Sequence, residues 1–163
     1  MKSVAKVILF SILILIFIQP FIEFFNVLKV KLVLNFSVLN SCRTAAVNAA
    51  DITSAANLNA IVKQEDFIKC FSEIFSETLN ITQSFKSGNT LKFHSDSERF
   101  AEITADFVFS NTTDLNNRQK QIVNIQLTTK YVFITSALRN LNELNSEKYT
   151  ITIEKPFIIQ IIN

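Results

Sequence analysis

The chain has 163 residues, 48% of them hydrophobic and 18% charged, with a formal net charge of +2. One Gly, one His and two Cys exclude a P-loop, a glycine-built dinucleotide site and a four-ligand zinc site made of His and Cys. So small a net charge gives no strong basic field for nucleic acid, and the length sets one domain with a modest core.

Lys2 and Lys6 precede an uncharged apolar run from Val7 to Ile22. Its membrane-facing residues are Val7, Ile8, Leu9, Phe10, Ile12, Leu13, Ile14, Leu15, Ile16, Phe17 and Ile18. With its apolar flanks the segment is about 22 residues, and at ~1.5 Å per residue it spans a ~30 Å hydrocarbon core. The residues after it, Gln19 to Phe25, offer no small-x-small cleavage site, so residues 1–25 are expected to form an uncleaved signal anchor in the lipid bilayer. Lys29 and Lys31 nearly balance Lys2 and Lys6 in the positive-inside count. The short N-terminal tail and the extracytoplasmic look of the remainder place the N-terminus in the cytoplasm and the C-terminal domain outside. Leu39-Asn40-Ser41-Cys42 loosely resembles a lipoprotein box but lies too far from the apolar run, and reads as part of a helix.

No Pro occurs between Pro20 and Pro156, and no Gly before Gly88, so nothing covalent stops the membrane helix from running on. A three-four spacing links Phe25, Leu28, Leu32, Asn35, Leu39, Cys42, Ala46, Ala49, Thr53, Ala56 and Ala60. This predicts a helix over 4–62, bent near Pro20, with Leu32, Leu39, Cys42, Ala46, Ala49, Ala56 and Ala60 as its packing face. The β-branched stretch Val27–Val38 keeps a strand there as the alternative. Glu65 and Asp66 then open an amphipathic helix carrying Phe67, Ile68, Phe71, Ile74, Phe75 and Leu79, which completes a helical stalk over 26–79. Cys42 and Cys70 both fall on apolar stripes. Two helices folded back on each other would bring them within the roughly 4.4–6.8 Å that a disulfide needs, and two buried free thiols suit the same stripes.

From residue 80 to 163 the period becomes alternating. Ile81–Phe85 and Leu91–His94 flank a loop in which Gly88 supplies positive φ, a hairpin. Ile103 to Phe109, Val123 to Phe133 and Tyr149 to Glu154 read as strands, with a polar loop over 111–119. Ala137, Leu138, Leu141 and Leu144 suit a short helix capped by Ser136, and Pro156 suits an edge strand. The expected fold is α+β: a transmembrane helix continues into a long amphipathic helix packed on an antiparallel sheet of about four or five strands.

The order of anchor, long helix and antiparallel strands resembles the plan of pilins and pseudopilins. The stretch Val123–Phe133, the connector Leu138, Leu141 and Leu144, and the closing strand Tyr149–Ile153 resemble the TadE-like pilus-assembly proteins. No Gly precedes the apolar run, Glu23 lies beyond it, and Tyr131 is followed by Val132 where the family often has Pro. The resemblance therefore implies a divergent, uncleaved relative.

His94, Ser95, Asp96 and Ser97 invite a Ser-His-Asp reading, but neighbours on a strand point to alternate faces and cannot converge as a triad. Glu65 with Asp66, and Glu98 with Glu102, read as solvated faces. No cofactor, no metal and no catalytic residue is expected. The expected function is a structural or assembly component of a bacterial pilus, secretion or conjugation apparatus, with like subunits or other apparatus proteins as partners. The alternative is a membrane-anchored extracytoplasmic binding or sensor module.

Overall fold

The computed structural model describes residues 2–50, 61–96, 100, 102–113, 119–135, 139 and 149–159. Among the described residues two helices and five strands follow in order: α1 (Lys2–Asn48), α2 (Gln64–Leu79), β1 (Thr82–Ser87), β2 (Thr90–His94), β3 (Glu102–Thr113), β4 (Gln119–Lys130) and β5 (Thr150–Ile158). The strands form one antiparallel sheet in sequence order.

Helix α1 runs through Pro20 without interruption in its assignment, and Val27–Val38 is helical throughout. It is long and apolar enough to cross a membrane. It ends at Asn48, well short of residue 62. The chain is then turned back by an antiparallel bridge between Ala50 and Val62. The Val62 N–H also donates to Oε1 of the buried Gln121 on β4, at 3.1 Å. Alanine propensity alone would have carried the helix further. These tertiary bonds, with Asn48 a weak helix former at the last position, end it instead. Ala56 and Ala60 lie outside the described residues.

Helix α2 lies against α1 and turns Phe67, Ile68, Phe71 and Phe75 inward, as its periodicity predicts; Ser72, expected on another face, is buried with them, and Ile74 and Leu79 are half-buried. Glu65 and Asp66 occupy its first turn, where the helix dipole favours anions. Asn80, in the left-handed region at φ 52°, ends it. Phe71 packs edge-on to Phe107 of β3 at 4.9 Å and stacks on Phe75 at 5.2 Å, and Phe75 reaches Phe93 of β2 at 5.1 Å. α2 thus covers β2 and β3, while α1 reaches β5 and the end of β4.

Strand alternation sets the inner face of the sheet: Leu91 and Phe93; Ile103, Ala105 and Phe107; Val123, Ile125 and Leu127; Ile151 and Ile153. The β1–β2 hairpin closes around Gly88-Asn89, with Gly88 at φ +54° and no positive φ at Asn89, the pattern of a II′-type turn. β5 forms one edge and carries Pro156, where a missing N–H is tolerated. Of the short helix expected after residue 135, only Arg139 is described.

The buried side of α1 shares Cys42 and Ala49 with the expected packing face and differs from it at Leu32, Leu39 and Ala46. Val30, Leu34, Val38, Cys42, Ala45 and Ala49 turn inward, with Ser37 and Ser41 among them. Leu32 is 47% exposed, and Leu39 and Ala46 are only half-buried. Near residue 32 the inward face is therefore rotated by about one to two residues. Apolar side chains occupy several faces of α1, so spacing alone does not select the one that turns inward.

Phe71→Ala should lower stability by about 3–5 kcal/mol, because it empties a site closed by Phe107 of β3 and Phe75 of its own helix. Phe85→Ala, on the exposed strand β1, should change it by less than ~1 kcal/mol. Urea unfolding of the detergent-solubilised chain, followed by circular dichroism, checks both.

Candidate functional site

Of the residues expected to form an anchor, those described, Val4 to Ile14 and Ile16 to Ile22, are all exposed. At about 1.5 Å per residue, Val4 to Ile22 cover roughly 28 Å, close to the thickness of a hydrocarbon core. The side chain of Leu15 lies outside the described residues. Glu23 is the first described residue of α1 that the rest of the protein buries, at 2% exposure. It is also the sole charged residue between Lys6 and Lys29.

Three donors surround its carboxylate. The Ile134 and Thr135 backbone N–H groups donate to Oε1, each at 2.6 Å, and the Tyr131 hydroxyl donates to Oε2 at 3.0 Å. All three bonds are accepted by carboxyl oxygens, so an ionised side chain satisfies each of them. The donors come from the turn that leaves β4, 108 or more residues along the chain.

Arg139 holds the same turn from its other side. Its Nε donates to the Phe133 carbonyl and its Nη2 to the Ile134 carbonyl, both at 3.2 Å. The Phe133 carbonyl and Ile134 N–H belong to one peptide group, and the Ile134 carbonyl and Thr135 N–H to the next. Two consecutive peptide dipoles therefore lie between an anion at their N–H ends and a cation at their carbonyl ends. Each is polarised by both charges, more strongly by the buried Glu23 than by the exposed Arg139. The Arg139 N–H also donates to the Thr135 carbonyl at 2.9 Å.

Aromatic rings complete this corner. Phe133 meets Tyr131 at 5.4 Å and Tyr149 at 5.8 Å, and Tyr131 meets Tyr149 at 6.4 Å. The Tyr131 N–H donates to the Tyr149 carbonyl at 2.8 Å, extending the β4–β5 ladder into the turn. The Thr135 hydroxyl is buried without a hydrogen-bond partner among the described residues.

Other candidates stay apart. His94 Nε2 and Asp96 Oδ1 sit 3.7 Å apart on the surface, Ser95 is buried, and Ser97 and Glu98 lie outside the described residues. Glu102 pairs with Lys92 at 3.4 Å on the exposed face of the sheet. Among the described residues, no three His, Cys, Asp or Glu side chains come together as a metal site. Cys42 and Cys70 are both free thiols, the first buried and the second half-buried. Burial pushes the Cys42 thiol up from 9.0 to about 12.

The clamp around Glu23 was not anticipated from the sequence, although a lone carboxylate at the end of an apolar run carries a signal of its own. No family model, curated protein or solved structure matches this chain.

Glu23→Ala removes the acceptor from two backbone donors and a hydroxyl, and should cost about 2–5 kcal/mol. Tyr131→Phe removes one bond and should cost about 1–2 kcal/mol. Thermal unfolding in detergent measures both, and equal losses would contradict the geometry. The cysteines give a second check. With the folded pKa of Cys42 above its usual value, the stabilising effect of its protonated form is complete below pH 9.0 and is lost as pH rises towards about 12. At pH 8 a maleimide should label Cys70 well before Cys42, and denaturation should equalise the two.

Proposed function

We propose that this chain is a membrane-anchored structural or assembly component of a bacterial pilus, secretion or conjugation apparatus, with a pilin-like plan. The carrying observation is the uncovered side of α1 beyond the clamp. Phe25, Leu28, Leu32 and Phe36 recur at spacings of three and four, and all are exposed. Above the membrane, such a stripe is buried by another helix, from a like subunit or from an apparatus protein. Beside it lies a shallow groove lined by Phe36, Leu39, Asn40, Arg43 and Thr78, bringing polar groups to the rim of the apolar stripe.

Several features support this reading. Exposed apolar residues from Val4 onward suit insertion, with the N-terminus cytoplasmic and the folded region outside. The resemblance of the closing strands to TadE-like proteins points to the same class of machinery. The role is mechanical: α1 joins the bilayer to a sheet domain, and Glu23 fixes the level at which they meet.

The test uses Leu32→Cys in a chain whose Cys42 and Cys70 are replaced by Ala, treated in native membranes with a short thiol- and amine-reactive crosslinker. Adducts of defined higher mass are expected, and none from Gln126→Cys on the outer face of the sheet. A monomer alone at both positions would overturn the assembly reading in favour of a lone binding or sensor module.

A further inference from the structure

We infer that the turn Tyr131–Thr135 is a second membrane contact, seated in the interfacial layer of the bilayer beside the point where α1 emerges. The inference rests on the reading of α1 as a membrane anchor.

Position comes first. The turn touches α1 at Glu23, immediately after the exposed apolar segment, so among the described residues it lies at the end of the folded domain nearest that segment. Within it, Val132 is 40% exposed and Ile134 48% exposed, while Phe24 and Phe25 of α1 are exposed at the same level. These four apolar side chains continue the apolar surface of the anchor onto the base of the domain. Lys29 and Lys31 are also exposed, ~9 and ~12 Å further along the helix, at a depth suited to lipid phosphates.

The backbone is the second observation. A loop entering a poorly hydrated layer must satisfy its polar groups internally. Here the Ile134 and Thr135 N–H groups bond to Glu23, the Phe133 and Ile134 carbonyls to Arg139, and the Tyr131 N–H to the Tyr149 carbonyl. An exposed turn in water has no need of a buried carboxylate to hold its amides. At these five groups the clamp supplies internally the bonds that water would otherwise provide.

The third observation is compositional. The chain has two tyrosines and no tryptophan, and both tyrosines lie in this corner. Tyrosine concentrates where an apolar body and a polar tip meet the membrane–water boundary. Tyr149 is exposed and is the tyrosine placed to meet that boundary, whereas Tyr131 is buried and serves to hold Glu23.

The experiment uses the full chain, with Cys42→Ala and Cys70→Ala, in vesicles of phosphatidylcholine and phosphatidylglycerol. A bimane label is placed in turn at Val132→Cys, Ile134→Cys, Phe17→Cys and Gln126→Cys. Lipids carrying a nitroxide near the headgroup should quench labels at 132 and 134 at least threefold more than the label at 126, with matching protection from aqueous iodide. Deep nitroxide lipids should quench the label at 17. Labels at 132 and 134 as open to iodide as the label at 126, with the label at 17 quenched, would overturn the second contact and leave the anchor standing. An unquenched label at 17 would overturn the anchor and the second contact together.

Discussion

A carboxylate withdrawn from water loses a hydration shell worth many kcal/mol, and a fold keeps it only where hydrogen bonds stand in for that shell. Glu23 is withdrawn from water, and its replacement shell is built by a turn from the far end of the sheet. The arrangement of helix and sheet depends on this exchange. Tyr131 continues β4, its N–H is tied to Tyr149 at the start of β5, and both rings pack with Phe133. Fixing the turn on Glu23 therefore fixes where the β4–β5 end of the sheet meets α1. Arg139 acts through the same two peptide groups. It is exposed, so water weakens its contribution relative to that of Glu23.

Hydrophobic burial alone does not define how α1 is rotated about its axis. Val30, Leu34 and Val38 face the core, yet Leu28, Leu32 and Phe36 are apolar as well and face outward. Either side would exclude water about equally well. Directional bonds discriminate where apolar area does not: turning α1 by one residue, roughly 100°, would carry Glu23 away from its donors and strand two backbone N–H groups. The small residues Ser37, Ser41, Ala45 and Ala49 reinforce the same choice, since their side lets α2 approach closely. The larger outward residues would hold the two helices apart.

This explains what was legible in the sequence. Strands β1 to β5 are readable because alternation has a period of two and one buried face, as in Ile103, Ala105 and Phe107. The hairpin is readable because Gly88 alone supplies the needed backbone freedom, and α2 because its phenylalanines recur on one side only. The end of α1 is not readable, since Gln121, whose side chain holds Val62, lies 59 residues beyond Val62. The inward face of α1 is not readable either, because its period is satisfied on more than one side. The clamp is half legible. Glu23 stands out as a lone charge, but its partners are two backbone amides, which carry no side-chain signature.

Glu23 also separates two regimes along one continuous helix. Before it, α1 exposes apolar side chains all round, which water disfavours and lipid accepts. After it, one side is covered by protein and the other keeps the stripe of Leu28, Leu32 and Phe36. A purely apolar contact at that border would slide along the helix at little cost, because neighbouring turns offer similar surfaces. A carboxylate held by three donors has one position of best fit, so the distance from the N-terminal end of the apolar segment to the sheet domain is set to within a fraction of a helical turn. A partner that packs along α1 then meets its exposed stripe at a constant height above that segment.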